Sequence, residues 1–187
     1  MIRFFDIIFS LFALTVGVPV FALLLLLGWL DTGSPLFRQE RVGRFQKPFT
    51  LLKFRSMLPN TISVATHLAD ASAVTNLGQF LRRTKLDELP QILNVLKGEM
   101  SLVGPRPCLF NQTDLIAERE SRGVFNVRPG ITGLAQIKGT DMSTPKLLAE
   151  TDECMLRRLS VPCYFYFLFK TVIGSGVGDH IKTNKIK

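Results

Sequence analysis

The sequence predicts an α+β, mainly helical fold with an apolar N-terminal helix for lipid and only a minor β-hairpin. Three observations point there. An uncharged run of 24 residues extends from Ile7 to Leu30. Apolar residues recur at helical spacing after residue 86, whereas extended patterning is confined to a short stretch between residues 36 and 54. The 187 residues are 47% hydrophobic and only 20% charged, with Phe 15 against Tyr 2 and Trp 1, more apolar than a freely soluble chain of this size. One compact domain with an added apolar element accommodates that composition.

The first element is the run IIFSLFALTVGVPVFALLLLLGWL between Asp6 and Asp31. At about 1.5 Å per residue a straight helix of this length reaches roughly 36 Å, enough to cross a bilayer core of roughly 30 Å. Gly17 and Pro19 sit in its middle. Proline removes a donor and frees the carbonyl of Thr15, so a bend is expected there, and each half alone reaches only roughly 18 Å. A kinked single span and a broken helix that re-enters on one side both fit. No small-x-small cleavage site follows, which argues against a cleaved signal peptide. Arg38, Arg41, Arg44, Lys47, Lys53 and Arg55 follow the run while only Arg3 and the amino terminus precede it, so the body of the protein is expected on the cytoplasmic side. This cationic stretch suits either anionic head groups or a solvated face.

Next come a turn (Asp31, Gly33, Pro35) and two extended pieces, Leu36–Gln39 and Phe49–Phe54, joined through Gly43 and Pro48: a β-hairpin. Residues 58–76, rich in Asn, Thr, Ser, Ala and Asp, read as a loop or marginal helix. The clearest helix follows. Leu89, Ile92, Leu93 and Leu96 share one face, Gly98 stops it, and Pro90 suits its first turn, which places Asp87 and Glu88 at its N-terminus. Further helices are expected over Thr113–Arg122 and Lys146–Leu159. The apolar block 161–173 is too short to span and suits an interfacial or core helix. The glycines and lysines from Gly174 onward read as a flexible basic tail.

Composition also limits the chemistry. Three cysteines without a C-x-x-C pair argue against a disulfide framework or a thiolate metal cage. Two histidines, His67 and His180, lie far apart in polar surroundings, leaving little for zinc or for a His-based nucleophile system. Any chemistry falls to carboxylates, cations and backbone.

Arg82-Arg83-Thr84-Lys85-Leu86-Asp87-Glu88 sets three cations just before two adjacent carboxylates. Cations and a helix start favour ionised carboxylates, and the same donors suit phosphate oxygens. Adjacent carboxylates together with phosphates suit Mg²⁺. Two rigid turns follow, Gly104-Pro105-Arg106-Pro107 and Val127-Arg128-Pro129-Gly130, each holding an arginine suited to bidentate phosphate binding. Singly, each of these elements reads equally as a charged turn. Gathered within about fifty residues beside an apolar segment, they suit a site for an anionic phosphate compound.

At KFRSM (Lys53 to Met57), LDELPQILNVLKGEMSLVGPRP (Leu86 to Pro107) and VRPGITGLAQ (Val127 to Gln136) the chain resembles the monotopic phosphoglycosyl transferases, or bacterial sugar transferases, over nearly its whole length. The resemblance implies transfer of a sugar 1-phosphate from a UDP-sugar to undecaprenyl phosphate, with release of UMP, at the start of glycan assembly. It implies Asp87 as the nucleophile that forms an aspartyl phosphosugar. Glu88 is implied as its partner in placing Mg²⁺ or managing protons. Lys53 and Arg55 of the first motif, Arg82, Arg106, Arg128, Gln136 and Asp152 are the implied substrate-binding residues, and Asp152 has a structural role as its alternative.

The resemblance also implies a re-entrant helix (residues 1–31) broken at Pro19 and a cytoplasmic, membrane-associated catalytic domain (residues 32–187). The setting would be the bacterial inner membrane, with phospholipids but no nucleic acid as partners, and the minimal form of the family. Association as a homodimer is left open. Three departures stand out: Val18 replaces the usual Ser before the proline, leaving Thr15 as the nearby hydroxyl; Lys138-Gly139-Thr140 replaces Asn-Gly-Arg; and Thr151-Asp152-Glu153-Cys154-Met155 lacks the usual tyrosines. Two other classes remain in view, a membrane-bound hydrolase of polyprenyl-linked or nucleotide diphosphates and a non-enzymatic basic membrane adaptor.

Overall fold

The computed structural model describes residues 1–59, 61 and 71–173. The tail from Gly174 and most of the 58–76 segment lie outside the described residues. What is described of that segment is a bridge between Met57 and Val74 and a short 3-10 turn, Ala71–Ala73.

Helix α1 (Ile2–Thr32) is long and apolar enough to cross a membrane. It runs on through Pro19, where a bend is expected and the family resemblance implies a break, and the Thr15 hydroxyl donates to the Leu11 carbonyl (2.8 Å) rather than relieving the carbonyl that Pro19 frees. Gly33, at φ 69° in the left-handed region, ends it, with its N–H on the Trp29 carbonyl. One stripe of α1 is buried (Asp6, Ser10, Leu24, Gly28), while Phe12, Val16, Leu23, Leu26 and Leu30 are exposed. Both ends of the stripe meet the same body. Phe5 and Phe9 pack with Val103, Met155, Tyr164 and Phe167, and Phe21, Leu24 and Leu25 pack with Phe54 and Leu81.

Strands β1 (Leu36–Val42) and β2 (Pro48–Phe54) form the expected hairpin, antiparallel from Leu36 opposite Phe54 to Val42 opposite Pro48. It is longer than the sequence pattern indicates, because Val42 also donates to the Cys108 carbonyl (2.9 Å) and is buried against Cys108 and Leu115. Helix α2 (Asn76–Thr84) is capped by the Thr75 hydroxyl, which accepts from the Gly78 N–H. Helix α3 (Gln91–Lys97) ends at Gly98 as expected, but starts later than expected. Pro90 is its N-cap, and Asp87 and Glu88 sit on a separate 3-10 turn, Leu86–Glu88, rather than in the helix's first turn.

The two rigid turns hold an element that their prolines and glycines conceal. β3 (Ser101–Val103) and β4 (Gly130–Thr132) pair in parallel, Ser101 beside Gly130 and Val103 beside Thr132. The chains then cross at glycine: a Cβ on Gly130 would lie 2.0 Å from the Gly104 nitrogen, and one on Gly104 would lie 2.6 Å from the Arg128 carbonyl oxygen. Only glycine allows that approach. Helices α4 (Thr113–Ser121), α5 (Leu134–Lys138), α6 (Pro145–Arg158) and α7 (Val161–Val172) complete the body. Three of these match the expected spans to within a residue at each end. α7 buries Tyr164 and Phe167 and exposes Phe165, Tyr166, Phe169 and Val172, so it has one face for the core and one aromatic face outward.

Candidate active site

Lys85, at φ 58°, closes α2 and turns the chain into the Leu86–Glu88 turn. A non-glycine residue in that region is strained and holds only where its surroundings dictate it. Leu86 and Leu89 anchor the turn in the apolar cluster of Leu24, Phe54 and Leu81, with Asp87 buried between them in sequence.

Two cations from distant segments converge on the dyad. Lys53, on β2, places Nζ 3.0 Å from Glu88 Oε1 and 3.8 Å from Asp87 Oδ2. Arg106, on the loop after β3, places Nη2 2.8 Å from the same Glu88 oxygen. All four side chains are a quarter exposed or less, so these attractions are less screened than at an open surface. Glu88 is the pivot, and Asp87 stands beside it within reach of Lys53.

The other candidates occupy different places. Arg82 Nε donates to Ser56 Oγ (2.9 Å), and its buried Nη1 has no partner among the described residues. Ser56 lies inside the KFRSM motif, where sequence reasoning missed it. Arg55 ties down the start of the hairpin through the Ser34 carbonyl (2.8 Å), Ser34 Oγ and the Leu36 carbonyl (3.3 Å each). Arg128 Nε donates to the Gly98 carbonyl at the end of α3 (2.7 Å). Burial, with Arg3 and Arg44 nearby, lowers its pKa. The Gln136 side-chain amide is buried, and neither its nitrogen nor its oxygen has a hydrogen-bond partner among the described residues.

Asp152, on α6, is wholly buried and pairs with Arg119 of α4, whose Nε and Nη2 lie 3.0 and 2.7 Å from Asp152 Oδ2. Burial pushes the Asp152 carboxyl up and the Arg119 guanidinium pulls it down. Arg119 and the buried Arg41 were not singled out for the site. Their neighbours in sequence are charged and polar, and nothing in the local pattern distinguishes a buried arginine from a solvated one.

Among the described residues, no group of three or more His, Cys, Asp and Glu side chains gathers as a ready metal cage. Two adjacent carboxylates that need water and substrate phosphates to complete a shell are a donor set that fits Mg²⁺.

The bacterial sugar transferase family model matches residues 1–176. The chain is 44% identical to the uncharacterized sugar transferase EpsL of Bacillus subtilis over 73% of its own length and 68% of that protein. It is 42% identical to the UDP-glucose:undecaprenyl-phosphate glucose-1-phosphate transferase of Caulobacter vibrioides, over 75% of this chain and 54% of that protein. To the UDP-galactose-lipid carrier transferase of Erwinia amylovora it is 34% identical, over 91% of this chain and 39% of that longer protein. This chain belongs to the bacterial sugar transferase family and is a transferase.

Proposed function

We propose that the protein transfers a sugar 1-phosphate from a UDP-sugar to undecaprenyl phosphate through a covalent intermediate on Asp87. The observation that carries this reading is the convergence of Lys53 and Arg106 on Glu88 beside Asp87, in a chain whose relatives are named as UDP-sugar and undecaprenyl-phosphate transferases.

An Asp87 oxygen attacks the sugar-bearing phosphorus of the donor. The bond to the bridging oxygen breaks, and that oxygen leaves on UMP. An oxygen of undecaprenyl phosphate then attacks the same phosphorus, freeing the Asp87 carboxylate and giving undecaprenyl diphosphosugar. Lys53 and Arg106 offset the charge that accumulates on phosphate oxygens and keep Glu88 in place. Arg82, whose buried Nη1 has no partner among the described residues, is poised for a further phosphate oxygen. Asp87 and Glu88 would hold Mg²⁺, which when bound neutralises diphosphate charge.

The membrane reading is a one-sided insertion of α1 with the body on the cytoplasmic face. Polar anchors at both ends of the helix support it. Arg3 donates to the Val95 and Leu96 carbonyls (2.6 and 3.1 Å) and Asp6 accepts from Ser101, Leu102 and Tyr164, while at the far end Asp31 accepts from the Thr75 hydroxyl (2.7 Å). A helix tied to one body at both ends keeps both ends on one side. Single cysteines at positions 2 and 33 should therefore react with an impermeant reagent from the same side of sealed vesicles, and labelling from opposite sides refutes the insertion.

The catalytic test is UMP release from a panel of UDP-sugars by nanodisc-held protein with undecaprenyl phosphate and Mg²⁺. Asp87→Asn should lower it by about 10³-fold or more, and intact-mass analysis should find a sugar-phosphate adduct on the wild type alone. Sugar phosphate formed without acceptor favours the hydrolase reading, and full function with Asp87→Asn favours the adaptor.

A further inference from the structure

The loop that carries Arg106 contains two prolines, so positions 105 and 107 have no N–H with which to anchor it. It is anchored through its carbonyls, and four in succession are taken. The Pro105 carbonyl accepts from the Gly130 N–H (2.8 Å) and the Cys108 carbonyl from the Val42 N–H (2.9 Å). Between them, the Arg106 carbonyl accepts from Arg119 Nη1 (2.8 Å) and the Pro107 carbonyl from Arg41 Nη1 (3.1 Å).

Arg119 is 1% exposed, and its remaining donors, Nε and Nη2, both go to Asp152. An ion pair buried this deeply is costly to desolvate, and an apolar pair of similar volume commonly serves stability as well. Its distinctive contribution is a rigid fork that grips the backbone of the residue whose side chain meets Glu88.

We propose that Arg119, oriented by Asp152, is a positioning residue that aims Arg106 at the Asp87–Glu88 dyad. The inference rests on the transfer reading for its kinetic test and on the fold alone for a second one. Arg119→Lys keeps a cation for Asp152, but one ammonium cannot reproduce the fork to both Asp152 and the Arg106 carbonyl.

Kinetically, Arg119→Lys should lower kcat for UMP release by about tenfold with KM for the donor nearly unchanged. The double variant with Arg106→Ala should be no slower than Arg106→Ala alone, because both changes remove one aimed group. If the two losses multiply, Arg119 acts independently of Arg106 and the proposal fails.

Independently of any reaction, amide exchange at Gly130 and Val42 should quicken by about tenfold or more in Arg119→Lys while α3 stays protected. Unchanged exchange at both amides overturns the proposal. An inactive wild type would refute the transfer reading and leave this exchange test standing. If Arg119→Lys does not fold, Asp152→Asn, which keeps an acceptor for Nε and Nη2 without the charge, should show the same overlap with Arg106→Ala and the same quickened exchange.

Discussion

Arg106 and Arg128 look alike in sequence and do different things in the fold. Each stands beside proline and glycine, and each flanks a strand of the same parallel pair. Arg106 ends on a carboxylate, Glu88, while Arg128 ends on a backbone carbonyl, Gly98, at the negative pole of α3. An arginine in a rigid turn is a fixed donor. What it does is set by the acceptor that the rest of the chain brings to it.

The largest effect should come from breaking the crossing that the two turns share. Gly130→Ala drives a Cβ to 2.0 Å from the Gly104 nitrogen, where backbone rather than a pliable side chain must yield. It should destabilise by about 3 kcal/mol or more, seen as a fall in thermal midpoint together with activity. Normal stability would mean that the crossing is loose and the two arms are not coupled through it.

Next, Arg106→Ala should lower UMP release by about 10²-fold with little change in thermal midpoint. Arg128→Ala should show the opposite balance, losing about 1–2 kcal/mol of stability with the hydrogen bond to Gly98 and keeping more activity than Arg106→Ala. A reversed pattern between these two variants would break the comparison.

The smallest effect is on pH. Burial pushes the Cys108 thiol up against the pull of Arg119, and burial reinforced by the Asp6 charge pushes the Tyr164 hydroxyl up. Both groups hold their protons more tightly folded than unfolded. The stability they contribute is therefore complete below the thiol's ordinary value of about 8.5 and is lost as pH rises beyond it. The thermal midpoint should fall between about pH 8 and pH 10, and Cys108→Ala should flatten the first part of that fall. Cys108, directly after the Arg106 loop, should also resist alkylation until the protein unfolds.

Much of the architecture was legible because it rests on local rules. The apolar run, the turn at Gly33, the hairpin, the glycine stop at Gly98, and the spans of α4, α6 and α7 all follow from spacing and turn chemistry within a few residues. Two things were misread. The β3–β4 pair is a long-range contact whose strands are three residues each, too short to show a period. The helix at the dyad starts late because left-handed Lys85 and Pro90 divide it into a 3-10 turn and α3. At the candidate site, the adjacent carboxylates of Asp87 and Glu88 could be read directly. Ser56, Arg41 and Arg119 could not, since what ties each to the site is a partner remote in sequence.

The sequence by itself determined that an apolar helix precedes a basic body, that two ionisable carboxylates follow a cluster of cations, and that rigid turns carry arginines. Only the tertiary structure decided which cations serve the carboxylates. Lys53 is 35 residues from Glu88 and Arg106 is 18 away, whereas Arg55, two residues beyond Lys53, turns to the Ser34 carbonyl instead. Arg55 lies one residue past the end of β2, where the strand's alternation no longer sets its direction, and a charge acts over a few ångströms. The role of each cation therefore depends on where distant segments meet.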